Sequence, residues 1–505
     1  MSTEPDIRHP GGTQGPTGRW SRREFLRASL AAGAGAVASA ALQAEGRGES
    51  AGPKPLSVVF VFADQWRAQA LGCAGDTNAR TPNLDALAAR AVRFTTAVST
   101  CPVCSPYRAS LLTGRYPLAH GVFLNDVHLA SDSVSIARVF KAAGYDTGYI
   151  GKWHVNGRGR LRFIPPEDRQ GFDFWRACEC THAYNKSIYY ADDDRQLAWE
   201  GYDAEAQARA AQEYIRGRGR DPARPFLLVL SWGPPHNPYE TAPQRFREMF
   251  DPKAIRLRPN VPPEAEAAAR RDLAGYYAHC AALDTYVGDL LRTIRETGQE
   301  DRTLFVFTSD HGDMLGSQGQ QRKQRPWDEA VMVPLIVHCP SLLGRPALRT
   351  GGREVRTPIG TPDLMPTLLG LCGISVPKSV EGLDYSGHLA RGGPAPADAA
   401  LIACYTPFGE WTRAKGGREY RGIRTERHTF VRTIEGPWLL FDNQADPHQA
   451  ANLVGRPEHS ELQARLDDQL KRILAGQKDE FLPGAEYIKR WGYKVDAGGT
   501  APAAP

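Results

Sequence analysis

The sequence lacks the features that mark a membrane-spanning or nucleic-acid-binding protein. Beyond the first 44 residues, no uninterrupted apolar stretch approaches the roughly 18 residues that a transmembrane helix needs. The chain has little excess charge of either sign: it contains 62 Lys and Arg against 57 Asp and Glu. Residues 1–44 account for five of the Arg and three of the acids. With 41% hydrophobic residues the chain is also too apolar for a disordered protein. We expect a large globular body, with no transmembrane anchor in its mature form and no nucleic-acid partner.

The first 44 residues are typical of an export signal. Arg22 and Arg23 precede a weakly apolar run at 28–42 that is dominated by Ala and Gly and ends in small residues. This order predicts a twin-arginine signal, with a plain basic amphipathic arm as the alternative. We therefore expect the twin-arginine translocation machinery to deliver an already folded protein, which would be periplasmic or secreted.

Nine cysteines are an odd number for an exported protein, so at least one thiol is expected to be free or chemically used. Cys101 and Cys104 have the spacing of a redox pair, but no thioredoxin-like sequence surrounds them. Cys178 and Cys180 are one residue apart, a spacing too irregular to predict a zinc site.

Apolar strand patterns alternate with helical patterns along the body. The predicted strands are 56–62, 145–150, 225–231, 303–308 and 333–338. The predicted helices are 81–90, 133–143, 204–216, 264–297 and 361–371. Such alternation indicates an α/β fold, with a large, mostly parallel mixed sheet between layers of helices.

Polar side chains that can bind metals or anions directly follow four of these strands. They are Asp64, Lys152 with His154, His236, and Asp310 with His311. Each one alone could be a charged loop residue. Together they predict a metal-assisted site for an anion, because ligands of open α/β sheets bind beyond the carboxyl ends of the strands.

The segment around Cys104 predicts the start of a helix inside that site. Pro106 suits a first helical turn, so Cys104 is expected at or just before the helix N-terminus, where free N–H groups favour an anion. Arg108 lies one turn further and can neutralise negative charge there. From these residues alone, Cys104 could be a thiolate of low pKa or half of a redox pair.

Cys104-x-Pro-x-Arg followed by x-x-Leu-Leu-Thr-Gly-Arg resembles the signature of type I sulfatases. Their cysteine is oxidised after translation to formylglycine. The similarity covers roughly residues 56–455 and includes the blocks ADQWRAQALGC, RTPNLDALAARAVRF, GYDTGYIGKWH, PPHNPY, ALDTYVGDLL, FTSDHGDMLG, KQRPWDEAVMVPLIV and LFDNQADPHQAANL, in the order of the family. Two residues depart from the pattern: Tyr107, where Ser or Ala is usual, and Gln65, where many members carry a second Asp.

The resemblance implies one divalent cation, most simply Ca²⁺, with Mg²⁺ and Mn²⁺ as alternatives. Its ligands would be Asp64, Gln65, Asp310, His311 and the modified Cys104. One hydroxyl of the hydrated aldehyde would attack sulfur, and the second would lose its proton toward His154 so that sulfate is expelled. Arg108 would stabilise the nucleophile, Lys152 and Lys323 would hold the sulfate oxygens, and His236 would protonate the leaving alcohol.

The resemblance also implies an alkaline-phosphatase-like fold with a smaller C-terminal subdomain of antiparallel sheet and helix. We expect an export signal at 1–44, a catalytic domain at 52–375, the subdomain at 376–493 and a disordered tail at 494–505. Alternating residues near 415–433 predict a strand, and the leucines of 460–474 predict an amphipathic helix.

Other polar residues have weaker patterns. The pair Asp328 and Glu329 could orient Lys323 or be an ordinary surface pair. We expect His120 to have a structural role. His182 and His338 have no supporting neighbours in sequence. The three arginines of the predicted strand could meet an anionic substrate, although a solvated strand face is the preferred interpretation; they are Arg421, Arg424 and Arg427.

The predicted function is therefore an exported sulfatase that acts on a sulfate ester, with a carbohydrate as the expected substrate and a formylglycine-generating enzyme as its maturation partner. The first alternative is a phosphonate monoester or phosphodiester hydrolase of the same superfamily. The second is a non-catalytic relative that only binds sulfated glycans.

Overall fold

The first strand shows how the sequence builds the centre of the protein. Residues Ser57–Asp64 are buried along their whole length. Phe60 and Phe62 face one hydrophobic cluster, whereas Val59 and Val61 face another. A strand that is covered on both faces needs a continuous apolar run instead of an alternating one, which explains the sequence SVVFVFA.

The computed structural model describes residues 55–219, 221, 224–343 and 352–502. The strands are β1 (Ser57–Asp64), β2 (Val92–Phe94), β3 (Ala97–Val98), β4 (Asp146–Lys152), β5 (Phe174–Cys178), β6 (Ile188–Tyr189), β7 (Leu197–Ala198), β8 (Phe226–Pro235), β9 (Thr303–Ser309), β10 (Leu335–His338), β11 (Arg353–Val355), β12 (Ile359–Gly360), β13 (Ala399–Cys404), β14 (Tyr420–Thr425), β15 (His428–Thr433) and β16 (Gly436–Asp442). The helices are α1 (Pro82–Ala88), α2 (Cys104–Thr113), α3 (Pro117–His120), α4 (Ile136–Ala142), α5 (Asp203–Arg218), α6 (Gln244–Arg247), α7 (Glu266–Glu296), α8 (Asp328–Val331), α9 (Pro340–Leu343), α10 (Leu364–Leu371), α11 (Ser386–Arg391), α12 (Ser460–Gly476) and α13 (Gly484–Trp491).

The main sheet has eight strands in the order β11-β2-β10-β9-β1-β8-β4-β5. All neighbours pair in parallel except β10, which runs antiparallel to both β9 and β2. The long helices α5 and α7 pack on one face, and α2, α4 and α10 supply the hydrophobic cluster on the other. The predicted fold class, a mostly parallel mixed sheet between helices, is confirmed.

The predicted elements are present with shifted ends. For example, the helix predicted at 133–143 begins only at Ile136, because the Ser135 side chain accepts a hydrogen bond from Arg138 N and caps the first turn. The helix predicted at 361–371 starts with a 3-10 turn, Thr361–Asp363, before α10.

Strands β13–β16 form a separate antiparallel sheet. Leu466, Leu470 and Leu474 of α12 cover one of its faces, and residues around Val331 and Met332 cover the other. The small antiparallel sheet with its helix is therefore present, while the domain boundary near residue 375 stays a prediction.

The segment 494–502 corrects the expectation of a disordered tail. Asp496 N donates to Thr500 O, and Gly409 N donates to Gly498 O. Ala501 is buried in the first hydrophobic cluster. Apolar contacts with the main body order these residues despite their Ala, Gly and Pro content. Residues 503–505 and the predicted export signal lie outside the described residues.

Among the helices of the described residues, none is both long and apolar enough to cross a membrane.

Asp203 is expected to make the stability of the protein depend on pH. It begins α5, is 2% exposed, and burial raises its pKa to about 7. The pKa in the unfolded chain is near 3.8, so below about pH 4 the carboxyl is protonated in both states and does not destabilise the fold. As the pH rises to about 7, ionisation favours the unfolded chain and the free energy of unfolding falls. Between pH 5 and pH 8 we expect this group to lower the free energy of unfolding by about 3 kcal/mol, and Asp203→Asn to abolish that decrease. Urea unfolding of both proteins at the two pH values measures this, and an unchanged pH dependence would contradict it.

Candidate active site

Four adjacent parallel strands bring the predicted site residues to one edge of the sheet. Strands β9, β1, β8 and β4 are neighbours. Asp310, Asp64, His236 and Lys152 lie at or just after their C-terminal ends, and all four side chains are buried. The strand ends thus place two carboxylates, a lysine and a histidine in one enclosed space.

Cys104 is the first residue of α2 and its thiol lies at the centre of this cluster. Its Sγ is 3.3 Å from His311 Nε2, 3.1 Å from Lys323 Nζ and 3.8 Å from Lys152 Nζ. Burial and Asp64 oppose ionisation, but the two lysines hold the pKa of the Cys104 thiol well below its usual value. No disulfide joins it to Cys101, whose thiol pKa burial raises to about 12. The geometry thus favours a nucleophile position over the redox pair.

Arg108 holds the two carboxylates in place. Its Nη2 lies 3.1 Å from Asp64 Oδ2 and 3.2 Å from Asp310 Oδ2. Its Nη1 donates to Lys152 O and to Ser231 Oγ, both at 2.7 Å. Both terminal nitrogens of Arg108 are thus engaged by groups around Cys104, and neither donates a hydrogen bond to the Cys104 thiol.

Ligand atoms of Asp64, Cys104, Asp310 and His311 all lie within 4.8 Å of one another. Gln65 adds a further candidate: its Nε2 donates to Asp313 Oδ2 at 2.6 Å, while its Oε1 is buried with no hydrogen-bond partner among the described residues. Gln65 follows Asp64 and its N–H donates to Asp310 Oδ1 at 2.9 Å, so this buried oxygen is one that a hard divalent cation at this group would satisfy. The residues present therefore fit the cation that the family implies.

The orientation of His311 supports this assignment. Its Nδ1 donates to Gly312 O at 2.9 Å, so the lone pair is on Nε2, 3.5 Å from Asp64 Oδ1. A backbone hydrogen bond on the other ring nitrogen is how proteins usually fix a metal-binding histidine.

Lys323 connects Cys104 to His236. Lys323 Nζ lies 3.1 Å from His236 Nε2, and His236 Nδ1 donates to Asn237 O at 2.9 Å. Burial and the Lys323 charge hold the pKa of His236 well below its usual value. His236 is therefore a neutral imidazole that accepts a hydrogen bond from the ammonium group.

His154 lies on the other side of the site. Its Nε2 is 3.2 Å from Asp126 Oδ1, and its Nδ1 is buried with no partner among the described residues. Burial opposes protonation, but Cys180 and the Asp126 hydrogen bond raise the pKa of His154 well above its usual value. The imidazole is thus a strong base held by a carboxylate.

A cavity of about 210 Å³ lies beside Cys104, and Lys152, His154, His236 and Lys323 line it. Its wall also includes Phe408, Gly409, Glu410 and Thr500. The C-terminal part of the chain therefore closes the site on one side, including a segment expected to be disordered.

The profile of the family described as Sulfatase matches residues 57–374, and that of the N-sulphoglucosamine sulphohydrolase C-terminal region matches 316–476. An ulvan-active sulfatase of Formosa agariphila is 44% identical over 459 residues, which cover 90% of this chain and 87% of the relative.

The chain belongs to the sulfatase family.

Other relatives of this sulfatase agree with that assignment. An endo-4-O-sulfatase of Bacteroides thetaiotaomicron is 29% identical and aligns with 79% of this chain and 87% of its own length. The solved structure of a putative sulfatase of Bacteroides fragilis has a TM-score of 0.75 at 31% identity, over 88% of this chain and 99% of that one. The family assignment and the enzyme class, a sulfuric ester hydrolase, are confirmed.

The rival phosphonate hydrolases are more distant. A phosphonate monoester hydrolase of Agrobacterium radiobacter superposes with a TM-score of 0.67 at 23% identity, over 85% of this chain and 97% of its own. At that identity the likeness shows the shared fold alone.

Sequence reasoning missed several residues of this site. Asp126 and Arg160 carry no motif, although both contact or line the pocket. Cys180 lies beside His154 and Lys152, which hold its thiol pKa well below the usual value although burial opposes this. His182, which had no supporting neighbours in sequence, stacks on His236 with ring centroids 4.4 Å apart. The strand-end position of Cys180, two residues beyond β5, is a signal that could have found it.

The acidic pair after Trp327 does not orient Lys323. Asp328 pairs with Arg424 at 3.1 Å, and Glu329 pairs with Arg258 at 2.9 Å. Both acids are buried, which also excludes an ordinary surface pair. They fix the small sheet and a neighbouring loop to the main body.

The prediction that the three arginines lie on a solvated strand face is wrong for two of them. Arg421 is fully buried and pairs with Asp479, and Arg424 is engaged by Asp328. Only Arg427 is exposed, and it pairs with Asp442 at 2.6 Å. The face is buried because other elements cover both sides of the small sheet.

The two remaining histidines lie outside the pocket. His120 is buried, with Nε2 3.0 Å from Ser110 Oγ and Nδ1 accepting from Val122 N, which is a structural arrangement. His338 ends β10 and lies 3.4 Å from Arg90 Nη1.

Removal of divalent cations is expected to destabilise this sulfatase. Without a cation, only the nearby cationic side chains offset the repulsion between the buried carboxylates of Asp64 and Asp310. We expect EDTA to lower the melting temperature and Ca²⁺ to restore it, with about 3 kcal/mol of stabilisation at 100 times the dissociation constant. Parallel titrations with Mg²⁺ and Mn²⁺ identify the preferred ion, and Asp310→Asn should abolish the response. No stabilisation by any of the three ions would exclude this cation site.

Proposed function

We propose that this sulfatase hydrolyses a sulfate ester of a carbohydrate to the alcohol and inorganic sulfate, with formylglycine made from Cys104 as its nucleophile. The observation that carries the proposal is the place of Cys104, at a helix N-terminus between the Asp64–Asp310–His311 group and the Lys323 ammonium. The ulvan-active and endo-4-O-sulfatase relatives support a sulfated glycan as the substrate.

A formylglycine hydrate at residue 104 would supply a hydroxyl for attack on sulfur, with the alcohol as the leaving group, and a bound cation would make that hydroxyl more acidic. Asp64, Gln65, Asp310 and His311 would hold the cation. Their oxygen-rich set favours Ca²⁺, while the imidazole leaves Mg²⁺ and Mn²⁺ open.

Lys152 and Lys323 bind the sulfate group. Their ammonium nitrogens lie 3.8 and 3.1 Å from Cys104 Sγ, so a sulfate ester in contact with residue 104 meets both. Both lysines are buried, and fixed charges in a site that excludes water stabilise the negative charge of the transition state strongly.

Lys323 and His236 together supply the proton to the departing alcohol. In the resting site the proton belongs to Lys323: burial opposes its charge, but Cys104, Glu410 and Asp64 raise its pKa, whereas His236 is neutral. The 3.1 Å contact lets that proton pass to His236 Nε2, whose low pKa favours its release to an alkoxide. The pair therefore takes the role assigned to His236 alone from the sequence.

His154 is the proton acceptor on the opposite side. Asp126 holds its Nε2–H, which leaves the Nδ1 lone pair available at the cavity. In its neutral form the imidazole can take up a proton from residue 104, and Asp126 stabilises the imidazolium that results. This is the residue that would assist the release of sulfate.

Maturation and export complete the proposal. A formylglycine-generating enzyme would oxidise Cys104, and the twin-arginine machinery would carry the protein to the periplasm or out of the cell. Tyr107 is 1% exposed in the folded structure, which suits modification before folding is complete. Mass spectrometry of the tryptic peptide 94–108 from protein made in its native host should find an aldehyde or its hydrate at Cys104. An unmodified thiol there would contradict the mechanism.

The function is tested by sulfate release, measured by ion chromatography. We expect release from oligosaccharides of ulvan or of glycosaminoglycans, and turnover of 4-nitrophenyl sulfate well above that of a phenyl phosphonate ester and a phosphate diester. Faster turnover of the phosphonate or diester would favour the phosphonate hydrolase alternative. Glycan binding without sulfate release from any substrate, in protein shown to carry formylglycine, would favour a binding protein.

A further inference from the structure

Arg160 is a cation of the pocket wall that the reaction does not use. It lies on the loop between β4 and β5 and lines the cavity above Cys104. Its Nε donates to Asp126 Oδ1 at 3.0 Å and its Nη2 donates to Asp126 Oδ2 at 2.7 Å. The Asp126 side chain is 5% exposed, whereas that of Arg160 is 44% exposed. The Arg160 guanidinium is thus held by the buried Asp126 carboxylate and remains accessible to solvent and to a substrate in the cavity.

The loop that carries Arg160 is itself fixed. Arg160 O accepts a hydrogen bond from Cys180 N at 3.0 Å and a weaker one from Cys178 Sγ at 3.5 Å. A guanidinium held at both its backbone and its fork loses little conformational entropy when it binds a ligand. Its Nη1 has no partner among the described residues and is available to a ligand.

Arg160 differs from the other cations of the site. Lys152, Lys323 and Arg108 are almost fully buried, and their nitrogens contact Asp64, Cys104, Asp310 and His236. Arg160 contacts none of these four groups. It therefore lies outside the sulfate-binding set, further toward the mouth of the cavity.

Arg160 shares its carboxylate partner with a second basic side chain. The carboxylate of Asp126 accepts from Arg160 with both oxygens and also lies 3.2 Å from His154 Nε2. One negative group therefore serves two basic groups. An exposed planar guanidinium with a free edge is the side chain best suited to a carboxylate or a sulfate.

An acidic side chain also lines the cavity. Glu410 lines the same cavity, its Oε2 is buried without a partner among the described residues, and its Oε1 is 3.9 Å from Arg322 Nε. A carboxylate can accept hydrogen bonds from sugar hydroxyls and repels an anion. The cavity wall thus carries a carboxylate, Glu410, as well as the exposed Arg160 guanidinium.

We infer that Arg160 forms a second anion subsite, which binds a carboxylate or a further sulfate on the sugar that carries the scissile sulfate or on the sugar next to it. The inference rests on the proposed function and names its substrate class: a glycan with two acidic groups. Asp126 positions the fork, and Glu410 receives the hydroxyl edge of the sugar.

Binding to a Cys104→Ser protein, which cannot turn over substrate, tests this independently of catalysis. The probes are a sulfated disaccharide that contains a uronic acid, its carboxyl-reduced form, and the reduced form with a second sulfate. By calorimetry we expect the two doubly acidic probes to bind about 10- to 100-fold more tightly than the reduced monosulfate. The better of the two identifies the anion.

Arg160→Gln in the same background should bring the three affinities to within about threefold of one another. Arg160→Lys, which keeps the charge without the fork, should give an intermediate ratio and serves as a second variant if the first is poorly folded. Glu410→Gln is the matched control at another charged residue of the cavity wall, and it should not remove the preference for an acidic probe. The subsite would be overturned if the preference for acidic probes survived Arg160→Gln. It would also be overturned if the Cys104→Ser protein with Arg160 intact showed no such preference.

Sulfate release from the same probes by the mature enzyme separates the two proposals. A preserved affinity ratio without sulfate release would contradict the proposed function and leave the subsite supported. Sulfate release with equal affinities for all probes would contradict the subsite alone.

Discussion

Replacing Cys104 with alanine should lower sulfate release by at least about 10⁴-fold on every substrate, whatever its leaving group. The residue stands at the meeting point of the cation ligands and the two buried lysines, so no other side chain of the described site can deliver a nucleophile to the same place. The loss should appear in kcat and not only in KM. Steady-state kinetics on 4-nitrophenyl sulfate and on a sulfated oligosaccharide measure it.

The matched control is Cys101→Ala, three residues earlier. Cys101 is equally buried, but it belongs to the hydrophobic cluster and touches none of the charged groups. We expect a modest loss of stability and near-normal turnover per mature molecule. Equal losses in the two variants would revive the redox-pair interpretation, and substantial activity of Cys104→Ala would remove residue 104 from the mechanism.

Replacing His236 with alanine should have an effect that depends on the leaving group. On a sugar sulfate, whose alkoxide must be protonated as it departs, we expect a loss of about 10²- to 10⁴-fold in kcat/KM. On 4-nitrophenyl sulfate, whose phenolate leaves without a proton, the loss should stay below about tenfold. A plot of rate against leaving-group pKa should therefore be steeper for the variant than for the unaltered enzyme.

His182→Ala provides the control for this experiment. The His182 ring stacks on His236, yet the Lys323–His236 contact does not involve it, so its loss should change the dependence on the leaving group much less than His236→Ala does. Parallel leaving-group plots for His236→Ala and the unaltered enzyme would show that His236 takes no part in proton transfer. The proton would then come from Lys323 directly.

Much of the fold could be predicted because its determinants are local. The continuous apolar run of β1, the N-terminal proline of α1 and the spaced leucines of α12 each decide an element within a few residues. The order of the elements then implied a parallel sheet, and a parallel sheet has one carboxyl edge. Asp64, Lys152 and His236 could be placed together on that argument.

What the sequence could not decide are pairings between distant segments. Arg421 looks like a solvated strand residue until Asp479, 58 positions later, is brought against it. Asp126 and Arg160 are ordinary loop charges until they share one fork over the cavity. Thr500 belongs to a segment of low complexity that still lines the active site.

The sequence alone therefore determined the fold class, the family and the strand-end residues around Cys104, because local periodicity and a contiguous motif record them. The tertiary structure alone decided which charges are neutralised, which nitrogen of each histidine is free, and where an exposed guanidinium remains beside the sulfate site. The physical reason is that burial and hydrogen-bond pairing depend on residues that are far apart in the chain and meet only when it folds.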